Sequence, residues 1–250
     1  MICTFILSLH SLGEGEKIQK FKNFYYLKKI FEEEIDSEEL KKITISNFLT
    51  KDKEFVMDRN YSIKISSIDS DLSLKILKIF FLKKLNKEHL RICNNEFHIN
   101  NIHHSHDLSR QFELENFDEN YQYSDEVMLN FITPTIFKIG SRISSIESLD
   151  YIFQNISVKL RKSSLWKEVN HFNSFDFSKI KIKEHFLSAK EIKSLGKEGF
   201  VGKINFKLED YTEEELYVFN FLSEFCFFSG VGFMTENGYG QCERISLQKI

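Results

Sequence analysis

Proline, glycine and closely spaced cysteines are all scarce in this chain of 250 residues. It has one proline, Pro134, where average usage of about 5% would give roughly a dozen. None of its four cysteines falls in a C-x-x-C pair, so we expect buried free thiols in a reducing cytoplasm and no disulfide framework. These are Cys3, Cys93, Cys226 and Cys242.

Long apolar runs are also missing. No run approaches the roughly 20 apolar residues that span a bilayer, so we expect no membrane association. The first ten residues lack the basic start and the long apolar stretch of a signal peptide. We therefore expect a soluble, cytoplasmic protein.

Charge of one sign is not in excess. Lysine and arginine (34) nearly balance aspartate and glutamate (37), for a net charge of −3. Nucleic-acid binders are usually basic, so this balance does not favour RNA or DNA, although a local basic face is compatible with it. The 26 phenylalanines predict an aromatic-rich core.

The scarce glycines are concentrated near the C-terminus. Residues 229–241 read SGVGFMTENGYGQ and hold four of the ten glycines. Two interpretations are open. The segment can be a helix C-cap followed by a tight turn, because glycine tolerates positive φ. Alternatively, its successive backbone N–H groups can form an anion-binding concavity.

The first half of the chain predicts a β-α-β-β-α-β order, which is ferredoxin-like. Alternation indicates strands, and apolar residues at helical spacing indicate helices. The last strand can be a hairpin that turns at Asn94-Asn95. The predicted elements are strand 3–9, helix 16–34, strands 43–48 and 61–65, helix 71–85 and strand 90–102.

The second half predicts the same order after a polar, acidic linker at 111–126. The sequence thus indicates an α+β protein of two ferredoxin-like domains, residues 1–110 and 127–250. A capping box, with Thr212 as N-cap and Glu215 at N3, predicts the start of the last helix. The predicted elements are strand 127–137, helix 148–160, a long hairpin over 175–206, the helix after Thr212 and strand 241–247.

Four segments in order resemble one family: residues 43–49, 129–137, 199–206 and the glycine-rich segment 229–241. They are similar to the CRISPR-associated endoribonucleases that cut precursor CRISPR RNA within its repeats, in the repeat-associated mysterious protein (RAMP) superfamily. The resemblance implies tandem ferredoxin-like domains. It also implies cleavage without a metal or cofactor, in which the RNA 2′-OH attacks and a 2′,3′-cyclic phosphate remains.

Such cleavage needs a base and an acid, and histidine suits both roles. In this family a histidine, often with a tyrosine, lies near the first helix and faces the glycine-rich loop. This chain has no histidine between that helix and strand 43–48. The resemblance therefore leaves His10, Tyr25 and Tyr26 as catalytic candidates. Alternatively, His10 makes a structural hydrogen bond and the tyrosines pack in the core.

RNA binding requires phosphate contacts. The resemblance assigns them to the loop and to basic residues of the second domain, although each lysine alone can be an ordinary surface residue. Met234 stands where many relatives carry a lysine. The candidates are Gly230, Gly232, Thr235, Gly238, Gly240, Lys138, Arg142, Lys159, Arg161 and Lys162.

Two other functions stay open. The chain can be a non-catalytic RNA-binding or scaffold subunit of a CRISPR interference complex. Alternatively, His103, His106 and Asp107 can ligate a metal ion, although a polar loop explains the same residues. The expected partners are CRISPR repeat RNA and other Cas proteins, with the chain a monomer or homodimer.

Overall fold

Two compact units make up the chain: residues 1–112 with Glu236–Gly238, and residues 113–235 with 239–250. The computed structural model describes residues 2–19, 22–104, 109–115, 117, 121–169, 172, 174–193 and 195–246. None of the helices in these ranges combines the length and apolar character needed to cross a membrane.

The first unit is an antiparallel sheet with helices against its apolar face. The order along the sheet is β2-β3-β1-β5-β4, and β6 pairs with the start of β1. The elements are β1 (Ile2–Ser11), α1 (Asn23–Phe31), α2 (Ser37–Leu40), β2 (Ile43–Phe48), β3 (Asn60–Ser67), α3 (Ser70–Leu85), β4 (His89–Ile92), β5 (Asn95–His103) and β6 (Gln111–Phe112).

The core of this unit follows from alternation in β1. Leu7 and Leu9 point to one face and are fully buried against Leu27 of α1 and Ile76 of α3. The intervening residues, including His10, point to the other face. The N-terminus of α3 is capped by Asp69, whose side chain accepts a hydrogen bond from the Leu72 N–H at 3.2 Å.

The second unit repeats this design. Its main sheet has the order β10-β11-β7-β12, and β8 and β9 form a separate hairpin. The elements are β7 (Glu126–Thr135), β8 (Phe137–Ile139), β9 (Arg142–Ser144), α4 (Ile152–Leu160), β10 (Ile180–Ile192), β11 (Lys197–Leu208), α5 (Glu213–Ser229) and β12 (Cys242–Ile245). The predicted α+β class of two ferredoxin-like units is confirmed.

The predicted capping box is confirmed. Thr212 Oγ1 accepts a hydrogen bond from the Glu215 N–H at 3.2 Å, and Glu215 Oε2 accepts one from the Thr212 N–H at 2.8 Å. The Glu215 carboxylate also receives two hydrogen bonds from Lys179, at 2.7 and 2.8 Å. These donors lower the pKa of Glu215.

Three predicted boundaries were wrong. The first helix begins at Asn23, not at 16, because the Ile18 N–H donates to the Lys53 carbonyl at 2.9 Å and holds this stretch extended. The hairpin after α3 turns at Cys93 and Asn94, which both have positive φ. The helix predicted from 148 begins at Ile152, after a 3-10 turn over Ile146–Tyr151.

A buried side-chain amide on α5 links this helix to Ser124, just before β7, and to β12. Asn220, on α5, is fully buried; its Nδ2 donates to the carbonyls of Ser124 (2.9 Å) and Leu216 (2.7 Å). Its Oδ1 accepts from the Ser124 N–H (3.0 Å) and from Arg244 (2.8 Å) on β12. Burial lowers the pKa of Arg244 to about 10, and the guanidinium also contacts Tyr121. All four hydrogen-bonding positions of this amide are therefore used.

We expect Asn220→Ala to destabilise the second unit by about 3 kcal/mol, because buried groups of Ser124 and Arg244 lose their partner. Urea denaturation followed by fluorescence measures this. Glu214→Ala, an exposed change on the same helix, should stay within about 0.5 kcal/mol of the parent. Equal stabilities of the two variants would contradict the role given to the amide.

Candidate nucleic-acid interface

The glycine-rich loop starts where α5 ends. Gly230 is the C-cap, with φ 61°, and its N–H donates to the Cys226 carbonyl. Gly232, Gly238 and Gly240 also have positive φ, and so does Met234, at 63°. The predicted helix C-cap is confirmed, and both Gly-x-Gly pairs lie in left-handed backbone.

Hydrogen bonds hold the loop against the strand β7 and the residue after it. The Val231 N–H donates to the Gly240 carbonyl at 2.7 Å, and the Gly240 N–H donates to the Pro134 carbonyl at 3.1 Å. The Phe233 N–H donates to the Ile136 carbonyl at 2.8 Å. These N–H groups therefore already have partners inside the protein, which does not favour the predicted anion-binding concavity at these positions.

Close contacts with neighbouring backbone explain the glycines of this loop better than anion binding does. A Cβ on Gly240 would lie 1.7 Å from the Val231 carbonyl oxygen, and one on Gly232 would lie 2.3 Å from that of Ile136. A Cβ on Gly238 would lie 2.8 Å from the Ile45 oxygen, within the first unit. No side chain fits at these distances, so the loop requires glycine for its backbone contacts.

Lys159 lies beneath this loop. Its ammonium donates to the carbonyls of Ser229 (3.0 Å) and Gly230 (3.2 Å) and to Thr235 Oγ1 (3.0 Å). The structure thus brings two predicted RNA-binding residues, Lys159 and Thr235, into contact with each other. Both are engaged inside the protein.

The other predicted basic residues are exposed. Lys138 places its Nζ 5.4 Å from the centre of the Phe233 ring, a cation–π contact with the loop. Arg161 lies over Trp166 at 5.8 Å, and Lys162 is exposed beside it. The sequence analysis did not name Phe233 as a candidate. The available signal was an aromatic residue inside a glycine-rich loop, and the structure shows that its side chain is partly exposed.

The Lys138 contact belongs to a short hairpin. Lys138 and Arg142 lie on β8 and β9, which turn at Gly140. Arg142 also lines a surface cavity that includes Glu191 and Glu198. The same cavity also includes Lys197, so charges of both signs surround Arg142.

His10 lies in a row of polar side chains across the first sheet. Its Nδ1 is 3.1 Å from Asn60 Oδ1, and its Nε2 is 3.5 Å from Asp58 Oδ1. His98 is its cross-strand neighbour, and the rings of His98 and His89 are 4.2 Å apart. Both ring nitrogens of His10 thus face oxygen atoms of the protein, as the structural alternative for this residue requires.

Tyr25 and Tyr26 lie on the opposite face of that sheet. Tyr26 packs against the core that contains Leu9, whereas His10 points to the other face. The structure therefore does not bring His10 to the two tyrosines. Tyr25 is 65% exposed, and its ring meets that of Tyr26 at 5.4 Å. Burial raises the pKa of Tyr26, and the thiol of Cys93 beside it raises it further.

The N-terminus of α1 and the tip of the glycine-rich loop both contact β2 within the first unit. The Asn23 side chain is buried and donates to the Ser46 carbonyl on β2 at 2.8 Å. Gly238 packs on the same stretch of β2, near the backbone of Ile45 and Asn47. Tyr26 lies three residues after Asn23 on α1, and its hydroxyl donates to Gln19 Oε1 at 3.5 Å.

The segment that carries the family's histidine is acidic in this chain. Asp36 caps α2 and accepts hydrogen bonds from the N–H groups of Glu38 and Glu39, both at 2.8 Å. These bonds lower the pKa of Asp36. The two glutamates of α2 are paired with lysines, Glu38 with Lys41 and Glu39 with Lys75. This segment, which the structure describes in full, therefore offers neither a histidine nor an unpaired cation for phosphodiester chemistry.

The described residues contain no group of three or more ligating side chains that could hold a metal ion. His103 is the last residue of β5 and lies close to Asn101. The other two residues of the alternative metal motif, His106 and Asp107, lie outside the described residues.

One family model matches the second unit of this chain. Residues 129–242 match the model of the CRISPR-associated endoribonuclease Cas6. The predicted resemblance is confirmed. No curated protein has a sequence that matches this chain.

Solved structures share the fold at low identity. A Cas6 product complex is 19% identical, covers 98% of this chain and 100% of its own, and has a TM-score of 0.75. Thermus thermophilus Cas6 is 17% identical, with coverages of 98% and 98% and a TM-score of 0.68. An RAMP protein described as binding different RNA substrates is 17% identical, with coverages of 98% and 100% and a TM-score of 0.57.

The Cas6 match begins in β7 and ends in β12, so it covers the main sheet of the second unit and the glycine-rich loop. It therefore contains three of the four segments that carried the resemblance. The matched model describes CRISPR-associated endoribonucleases.

Replacing Gly240 by alanine should disrupt the loop. Gly140 is the matched control, because both glycines have φ 61° but nothing lies within 4 Å of a Cβ on Gly140. We expect Gly140→Ala to cost about 1 to 2 kcal/mol from the backbone conformation alone. Gly240→Ala should cost more than about 3 kcal/mol, because the Val231 carbonyl must also move.

Denaturant unfolding of both variants measures the difference. Equal losses would mean that φ, and not the close approach of the two backbones, is the reason for glycine at position 240.

Proposed function

We propose that this chain is an endoribonuclease that binds precursor CRISPR RNA and cuts it within its repeats. The match to the Cas6 model across the second sheet and the glycine-rich loop carries this proposal. Its partner is the repeat RNA. The reaction is metal-independent and leaves a 2′,3′-cyclic phosphate, as the family resemblance implies.

Tyr26 is the side chain that we assign to proton donation. It lies on α1, whose first residue bonds to the β2 backbone on which Gly238 packs. Because its pKa is raised, the phenol stays protonated at neutral pH. Tyr26 therefore suits the acid that protonates the 5′-oxygen leaving group and does not suit the base.

RNA affinity is assigned to the exposed cations of the second unit. Lys138 lies beside Phe233, so a phosphate can pair with the ammonium while a base stacks near the ring. Arg161 and Lys162 are exposed at the end of α4 and offer further phosphate contacts.

RNA binding without cleavage is the second candidate function. Two observations favour it: α2 is acidic where the family carries a histidine, and both nitrogens of His10 face protein oxygens. In that case the chain is an RNA-binding or scaffold subunit that acts with other Cas proteins.

The deciding measurement is cleavage of cognate repeat RNA in excess EDTA. We expect one cut and a 2′,3′-cyclic phosphate, detected because the product resists end-labelling until the cyclic phosphate is opened. Binding without a cut would reject the enzyme proposal and leave the second candidate. Cleavage that EDTA abolishes would reject metal independence.

If the cut occurs, Tyr26→Phe should lower the single-turnover rate about 100-fold, because it removes the proposed acid and keeps the ring. Tyr25→Phe is the comparison variant, since it removes the neighbouring exposed hydroxyl from the same helix. His10→Ala tests the alternative assignment on the other sheet face. A Tyr26→Phe rate equal to that of the parent would refute the role of this residue.

Lys138→Ala should weaken RNA binding and make it less sensitive to salt. Loss of one phosphate contact lowers the slope of log affinity against log salt by about 0.7 to 0.9. Lys51→Ala, which changes an exposed lysine of the first unit, is the control for a change of net charge. Filter binding over a salt series gives both slopes, and an unchanged slope for Lys138→Ala would exclude the contact.

A further inference from the structure

We infer that α4 sets the conformation of the glycine-rich loop through Asn155 and Lys159, and that Lys159 is a positioning residue and not a phosphate contact. As far as RNA is concerned, this inference rests on the proposed function. It changes the role that the sequence predicted for Lys159.

The first argument is the use of the Lys159 ammonium. A lysine ammonium has three N–H donors and no acceptor. The three acceptors here are the carbonyls of Ser229 and Gly230 and the hydroxyl of Thr235, at 3.0 to 3.2 Å. A phosphate contact would need at least one of these bonds to break.

The second argument is electrostatic. Ser229 is the last residue of α5 and Gly230 is its C-cap, so both carbonyls lie at the negative end of the helix macrodipole. A cation is stabilised at that position. The third acceptor, Thr235, lies five residues after Gly230 in the loop. One ammonium therefore links the end of α5 to the middle of the loop.

Asn155 provides the second attachment. Its Oδ1 accepts a hydrogen bond from the Gly232 N–H at 2.7 Å. Residues four apart on a helix lie on the same face, so Asn155 and Lys159 present both groups to the loop together. Gly232 is also confined by the Ile136 carbonyl, which leaves no room for a Cβ.

Two side chains of one helix therefore fix the loop at 229–230, 232 and 235. If the loop binds RNA, loss of either attachment lowers affinity by disordering the loop. The number of phosphates contacted stays the same. Affinity should fall while its salt dependence remains that of the parent, which separates a positioning lysine from a contacting one.

The test begins with Lys159→Met in the free protein. Amide hydrogen exchange of peptides covering 229–241 should become at least tenfold faster than in the parent. Lys167→Met, which changes an exposed lysine in the 3-10 turn that follows α4, is the charge-matched control and should leave loop exchange unchanged. Unchanged exchange in Lys159→Met would overturn the inference without any reference to RNA.

The second arm measures binding of repeat RNA over a salt series. We expect Lys159→Met to lose about tenfold in affinity with the slope of the parent. A slope lowered by about 0.7 to 0.9 would identify Lys159 as a phosphate contact and overturn the inference. If the parent itself fails to bind, the proposed function fails, and the exchange experiment still decides the role of Lys159.

Asn155 gives an independent variant in case Lys159→Met does not fold. Asn155→Leu removes the acceptor for the Gly232 N–H, whereas Asn155→Asp keeps an oxygen there. Loop exchange should rise in the leucine variant and return toward the parent rate in the aspartate variant. Equal exchange in the two variants would overturn the role of Asn155.

Discussion

The close approach of two backbone segments inside the glycine-rich loop is the constraint on which the second unit depends. Val231 donates to the Gly240 carbonyl, and Gly240 donates to the carbonyl of Pro134. The only proline of the chain lies at this contact, near the end of β7. It supplies an acceptor without adding a donor that would need a partner. The loop leads into β12, which pairs with β7.

Because of these contacts, the loop has a defined backbone conformation without a ligand. Its N–H groups at 231, 232, 233 and 240 bond to the protein, and the helix end that precedes it is held by Lys159. A loop of this kind presents side chains on a fixed backbone. Recognition by it would therefore use partly exposed residues, such as Phe233, more than its backbone amides.

Local signals in the sequence were sufficient for the main β-α-β-β-α-β elements and for the capping box of Thr212 and Glu215, but not for α2, β6 or the β8–β9 hairpin. They failed where distant contacts decide. The start of α1 depends on the hydrogen bond between Ile18 and Lys53, which are 35 residues apart. The acceptors of Lys159 lie about seventy residues further along the chain. The placement of His10 and Tyr26 on opposite faces of the sheet could have been predicted from the sequence. Strand alternation puts His10 opposite Leu9, on the face that the helices do not cover.

Binding and cleavage make different demands on this structure. For binding, the second unit offers exposed cations such as Lys138. Cleavage also needs a base for the 2′-OH, and a tyrosine whose raised pKa keeps it protonated at neutral pH does not supply one. Residues 32–42, after α1, contain no histidine, and α2 presents carboxylates there.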